Sequence, residues 1–265
     1  MDKASTVVQK IRSGDIRTVA RLISNIDNGV ANARDVLKEI YPYTGRAYII
    51  GVTGAPGVGK STLVDQMISH IRKDGKTLGV LAVDPTSPFS GGAILGDRIR
   101  MQRHSMDDGV FIRSLATRGH AGGLTRSTRG AIDILDAMGK DYIIVETVGT
   151  GQDETDIVKI AHTTVIVVIP GMGDSVQAMK SGIFETGDIF VINKSEREGA
   201  EKTLNDLSLM IEGNPEKYVG GRWKPPILKI EAILDKGIKE FLIEVERHRN
   251  YLFNTGIRFG SRGKK

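Results

Sequence analysis

A chain of 265 residues, 40% apolar and 26% charged, is long enough for one large α/β domain with a sizeable core and too apolar to be disordered. Its net charge of +5 sits partly in a glycine-rich tail (Arg258, Arg262, Lys264, Lys265), and with 5% aromatics and no recognition motif it predicts no nucleic-acid partner. The absence of cysteine excludes disulfides and thiolate metal sites, and with no membrane-length apolar run and no signal-like core at the N-terminus, a cytoplasmic protein without a membrane partner is expected.

Residues 1–45 read as a helical extension. Ile11, Val19, Leu22, Ile23 and Ile26 recur at helical spacing, and Val36, Leu37 and Ile40 line one face of a second stretch, Ala31–Tyr41. Pro42 and Gly45 then break the pattern. From Ala47 onward short β-rich runs alternate with helix-length stretches. Strands are expected at 47–53, 77–83, 109–114, 141–147, 163–169, 187–193 and 226–230, with helices at 61–73, 125–138 and 199–211. The alternation predicts βαβ units, hence an α/β domain over 46–252 with a mostly parallel central sheet flanked by helices, followed by a basic, flexible tail over 253–265.

The first motif in chain order carries the most chemistry. Gly54, Ala55, Pro56, Gly57, Val58, Gly59, Lys60 and Ser61 fit the pattern G-x-x-x-x-G-K-[ST] between an apolar strand and an amphipathic helix, which marks a P-loop NTPase. Glycines let successive backbone N–H groups converge on phosphate oxygens at a helix N-terminus. Lys60 is placed to reach the β- and γ-phosphates, and the Ser61 hydroxyl to ligate Mg²⁺. Next comes LAVDPTSPFSGGAILGDRIRM, in which Asp84 ends a strand and Asp97 follows a flexible loop. Both carboxylates suit a hard cation held through water, although Asp84 before a proline also suits a turn and Asp97 a helix cap.

The run YIIVETVGTGQDE then ends a strand on Glu146, the expected acidic residue on the metal side of the loop. Gly149 can bring a backbone N–H to the γ-phosphate. Gln152, Asp153 and Asp97 are all candidates to orient an attacking water, and nothing marks an arginine finger, although Arg98, Arg100 and Arg118 adjoin the same loops. Finally FVINKSE supplies Asn193 and Lys194 at the end of a later strand, where GTPases place N-K-x-D to read guanine. Glu196 stands in the position of the usual Asp, one methylene longer.

With these motifs in register, the chain resembles the MeaB/ArgK family, whose human member is MMAA, from about Gly14 to Asn250. The strings that carry the likeness are YPYTGRAYIIGVTGAPGVGKSTL, DPTSPFSGGAILGDRIRM, ATRGHAGGLTRST, ETVGTGQDE and GMGDSVQAMKSGIFETGDIFVINKSE. The resemblance implies a GTPase that binds GTP or GDP with Mg²⁺ and acts as chaperone of an adenosylcobalamin-dependent mutase of the methylmalonyl-CoA type. It implies that Gly54–Thr62 hold the phosphates and that Ser61, Asp84, Asp97 and Glu146 make the metal environment. It also implies that Glu196 takes the base-reading position and that Ile230, Glu231 and Ala232 form a later loop touching the base. Gln177–Lys180 would be a switch reporting nucleotide state to the mutase. Relatives continue into a C-terminal dimerisation arm that residues 253–265 are too few to supply, so any homodimer is expected to form differently. Two other functions compete: an ATPase or kinase associated with lysine/arginine/ornithine transport, and a metallocentre-insertion GTPase, the latter disfavoured by five histidines and no histidine-rich tract.

Overall fold

The computed structural model describes residues 3–84, 101–116, 126–147, 156–171, 183–213, 215–218 and 220–256. Three helices open the chain: α1 (Lys3–Arg12), α2 (Ile16–Asp27) and α3 (Ala31–Ile40). Asp15 caps α2 by accepting the Thr18 N–H at 2.6 Å, which satisfies one of the orphan donors of the first turn. Val19, Leu22 and Ile23 are the buried stripe of that helix.

Among the described residues, seven strands and four further α-helices follow: β1 (Tyr48–Thr53), α4 (Lys60–Lys73), β2 (Leu78–Asp84), β3 (Val110–Ala116), α5 (Arg126–Ala137), β4 (Tyr142–Thr147), β5 (Thr163–Val168), β6 (Ile189–Ile192), α6 (Ala200–Glu212), β7 (Ile227–Lys229) and α7 (Ile238–Asn254). All strand pairs are parallel, in the order β3-β2-β4-β1-β5-β6-β7. The α/β class and the parallel sheet expected from the alternation are thus present.

Strand parity divides the core. Tyr48, Ile50 and Val52 of β1 and Tyr142 and Ile144 of β4 pack with Leu63, Val64 and Met67 of α4 and with Ile238, Phe241 and Val245 of α7. The alternate residues, Ile49, Ile143 and Val145, face the other way and join Ile132 and Leu135 of α5 with Ile11, Val19, Ile23, Val36 and Ile40 of the opening helices. On that same side α6 covers β5 and β6 through Leu207 and Ile211. Strands buried on both faces read as unbroken apolar runs, which is why β1, β4 and β5 lack an in-out alternation.

The junction into β1 is fixed by one buried carboxylate. Asp136 of α5, 1% exposed, accepts the N–H groups of Gly45 (2.6 Å), Arg46 (3.1 Å) and Ala47 (2.9 Å). Helix α7 was not predicted by the alternation because no strand follows it, although Ile238, Phe241, Val245, His248 and Leu252 form a regular buried stripe. It closes the amino-terminal edge of the sheet, where Thr163 at the start of β5 bonds the Tyr48 hydroxyl and the His248 Nδ1, the latter at 2.8 Å. His248 Nε2 lies 3.5 Å from Asp188, whose other carboxylate oxygen accepts the Thr164 N–H at 2.7 Å.

Candidate nucleotide site

The opposite, carboxyl-terminal edge of the sheet carries the sequence motifs, as expected for ligand sites in open α/β sheets. Beyond Thr53 the chain turns through Gly54–Gly59 and enters α4 at Lys60. Gly54 and Gly59 adopt φ values of 142° and 94°, and each is also sterically required. A Cβ on Gly54 would lie 2.2 Å from the Val167 carbonyl oxygen, and one on Gly59 would lie 2.3 Å from Asn193 Nδ2. Ala55, Pro56 and Gly57 form the accessible tip of the loop, whereas Val58 is fully buried beneath it. The Lys60 side chain folds over the loop and donates to the carbonyls of Gly54 (2.7 Å) and Ala55 (3.0 Å). Its ammonium therefore sits at the mouth of the phosphate cradle, with the residue only 6% exposed.

On the metal side, β4 delivers Glu146 opposite Val52 of β1, on the face shared with α4. The Ser61 hydroxyl donates to Glu146 Oε1 at 2.7 Å, and both residues are buried. Behind them the Thr147 hydroxyl donates to Thr53 Oγ1 at 2.9 Å and ties the ends of β4 and β1 together. A hydroxyl and a carboxylate oxygen in contact form an all-oxygen donor pair suited to Mg²⁺, which takes one or two protein ligands and fills its shell with water and phosphate. Among the described residues no group of three or more His, Asp or Glu gathers into a closed metal cage. Asp84 closes β2 with its backbone opposite Ala116, and the Asp84 side chain, Asp97, Gly149 and Gln152 lie outside the described set, as does Gln177–Lys180.

The base side is built by β6 and β7. Asn193, 3% exposed, donates from Nδ2 to the Val58 carbonyl (2.8 Å) and accepts the Ala232 N–H at Oδ1 (3.1 Å). One side chain thus joins the phosphate loop, the N-K segment and the later loop. Lys194, in the left-handed region at φ 56°, donates to the Gly57 carbonyl at 2.8 Å. The Ser195 N–H bonds the Ile230 carbonyl, but the Ile230 side chain turns into the core and contributes only backbone here. Glu231 lines the same cleft, and its carboxylate is paired with Lys236, whose ammonium lies 3.1 Å away.

A cleft of about 200 Å³ opens between these segments, lined by Thr62, Asn193, Lys194, Glu196 and Ala232. Glu196 lies exposed at its rim. Ile233 and Leu234, 81% and 58% exposed, add an apolar wall, and Arg197 adds a cation. These three are not legible from motif matching, though two adjacent apolar residues in a short turn after Ala232 are a usable signal. The structure therefore brings Gly54–Thr62, Glu146, Asn193, Lys194, Glu196, Glu231 and Ala232 to one edge of the sheet.

Comparison with known proteins agrees with this geometry. Residues 19–265 match the family model described as methylmalonyl-CoA mutase-associated GTPase MeaB. A Pyrococcus abyssi protein named as a GTPase is 52% identical over 250 residues, covering 94% of this chain and 77% of its own. The mouse mitochondrial methylmalonic aciduria type A homolog is 34% identical over 216 residues, covering 78% of this chain and 50% of its own. In the crystal structure of a LAO/AO transport system kinase the same fold recurs, with a TM-score of 0.75 at 23% identity over 99% of this chain and 80% of that one. On these matches the chain belongs to the MeaB family of methylmalonyl-CoA mutase-associated GTPases and is a GTP hydrolase.

Proposed function

We propose that this GTPase is Mg²⁺-dependent and cytoplasmic, and that it serves an adenosylcobalamin-dependent acyl-CoA mutase of the methylmalonyl-CoA type, coupling hydrolysis to loading or protection of the mutase's cofactor. The observation that carries the catalytic half is the Ser61–Glu146 contact at the first turn of α4, with Lys60 folded over the loop beside it. Phosphoryl transfer asks for positioning and charge neutralisation more than covalent chemistry. In this reading Lys60 and the amides of Gly54–Ser61 hold the phosphates, and Ser61 and Glu146, with Asp84 and Asp97, hold the ion. When bound, Mg²⁺ supplies neutralisation of charge on the phosphate oxygens. Gly149 and Gln152 are proposed to sense the γ-phosphate and orient the water. Asn193 keeps the base cleft in register with the loop, and Glu196 accepts the N–H groups of the guanine edge. No described helix is long and apolar enough to cross a membrane.

The mutase half rests on the family relationship and on the name borne by the mouse relative. Turnover of GTP by the purified chain is to be measured alone and with a methylmalonyl-CoA mutase. The mutase should raise turnover, because sites of this class turn over slowly until a partner completes them. A mutase that neither changes turnover nor retains the chain on a sizing column would refute this partner. Faster hydrolysis of ATP than of GTP would instead favour the transport-kinase reading.

A further inference from the structure

Helix α4 carries a second polar cluster one turn beyond Ser61, made of residues that neither the phosphate loop nor the base cleft uses. Ser61 and Asp65 stand four apart and so share one face of the helix. Arg103 grips Asp65 with two teeth: Nε donates to Oδ1 at 2.9 Å, and Nη2 lies 2.6 Å from Oδ2. Nη2 also donates to the Asp65 carbonyl (3.2 Å) and to Ser69 Oγ (2.9 Å). His104 Nε2 lies 3.0 Å from the same carboxylate. Met101, 1% exposed, plugs the start of this segment into the apolar cluster beneath α4.

The segment is thus held to α4 by an apolar plug and a bidentate ion pair, and in sequence it closely follows Asp97. The neighbouring Gln66 extends the cluster in the other direction. Its Nε2 donates to the Ala232 carbonyl at 3.0 Å, and its Oε1 accepts from Arg103 Nη2 at 3.4 Å. Ala232 in turn meets Asn193, and Asn193 meets Val58 of the phosphate loop.

We propose that Asp65 and Arg103 are positioning residues for the metal side of the nucleotide site, fixing the chain that follows Asp97 to the helix whose first turn presents Ser61. The proposal rests on the reading that Ser61 and Glu146 face Mg²⁺. An isolated surface ion pair would contribute little. Here the carboxylate is shielded, at 15% exposure against 51% for the guanidinium, and beyond the fork Nη2 shares its two hydrogens with the Asp65 carbonyl, Ser69 Oγ and Gln66 Oε1, so the pair is held within a network.

The test uses the full chain with Arg103→Met, Arg103→Lys, Asp65→Asn and the double variant Asp65→Asn/Arg103→Met. Fluorescence of mant-GDP in EDTA reads the metal-independent affinity, and titration of a bound non-hydrolysable GTP analogue with Mg²⁺ reads the metal side. Arg103→Met should raise the half-saturating Mg²⁺ concentration about three- to tenfold, and Arg103→Lys by less because a lysine cannot form the fork. The mant-GDP affinity in EDTA should stay within about twofold, and the double variant should add little to the worse single one. Equal loss of both affinities would mean that the pair merely props up the whole site and would overturn the proposal, as would unchanged Mg²⁺ dependence. If Arg103→Met does not fold, Asp65→Asn decides by the same two readings. A wild-type chain that binds the analogue independently of Mg²⁺ would sink the metal assignment itself, an outcome visible before any variant is made.

Discussion

Replacing Asn193 should damage fold and nucleotide binding together, because its amide bridges the phosphate loop and the loop at Ala232. The Asn193→Ala variant leaves the Val58 carbonyl and the Ala232 N–H without the partners they have at 2.8 and 3.1 Å. Each buried backbone group left unpaired costs about 1–3 kcal/mol. Val58 is fully buried and Ala232 1% exposed, so water cannot easily replace the amide, and the two groups together imply a loss of about 2–6 kcal/mol. Asn193→Asp separates the two bonds, since a carboxylate still accepts from Ala232 but faces the Val58 carbonyl with a second acceptor. That variant should be as damaged as the alanine at high pH and should recover in part on acidification, when its carboxyl regains a proton to donate. The assay is urea unfolding with and without GDP, which reads stability and ligand linkage in one series. A loss below about 0.5 kcal/mol in Asn193→Ala, within the range of an ordinary surface substitution, would refute the bridging argument.

Lys60→Ala should abolish GTP hydrolysis and weaken GTP more than guanosine while the chain still folds, because the partners of the buried ammonium are the loop carbonyls of Gly54 and Ala55 and not the apolar core; wild-type turnover would place the active site elsewhere. Asp136→Ala strips three N–H groups of Gly45, Arg46 and Ala47 of their acceptor and should cost about 2–4 kcal/mol in denaturant unfolding, since charge-assisted bonds of this kind are among the stronger ones. At the other edge of the sheet, burial lowers the His248 pKa to about 4 and raises that of Asp188 to about 7, with some screening of Asp188 by the 30% of its side chain that solvent reaches. The depressed histidine binds fewer protons folded than unfolded between about 4 and 6.5, so its contribution grows with pH there. The raised carboxyl binds more protons folded than unfolded, so its contribution shrinks from about 4 to 7. Wild-type stability should therefore vary little across that window, His248→Gln should lose stability as pH rises, and Asp188→Asn should lose it as pH falls. Thermal melts between those limits check all three curves, and parallel curves would refute the assignment.

Much of this architecture is legible in the chain because each strand buried on both faces leaves an unbroken apolar run. The phosphate loop is legible because its glycines are forced: at Gly54 and Gly59 any side chain meets a carbonyl or an amide within bonding range. Glu146 is legible as the acid ending a strand, and its contact with Ser61 follows from β4 lying beside β1. What the sequence hides is pairing across distance. Nothing local to Asn193 says that its two amide atoms serve Val58 and Ala232, and nothing local to Arg103 says that it grips Asp65. Helix α7 escapes because the rule that frames helices between strands has no later strand to use, although its own periodicity is regular. Ile230 misleads in the opposite sense, since its place in the loop suggests a base contact while its side chain is 1% exposed in the core.

The claim on which the rest depends is that the cleft at Asn193, Lys194, Glu196 and Ala232 reads guanine although Glu196 stands where the shorter Asp is usual. Calorimetric titration of the wild-type chain with GDP and with ADP, at one fixed Mg²⁺ concentration, tests it directly. A site whose carboxylate accepts both N–H groups of the guanine edge rejects adenine, which offers no such pair, so GDP should bind at least about tenfold more tightly than ADP. Glu196→Asp should keep or widen that gap by restoring the shorter reach. Equal affinities, or a preference for ADP, would contradict the account.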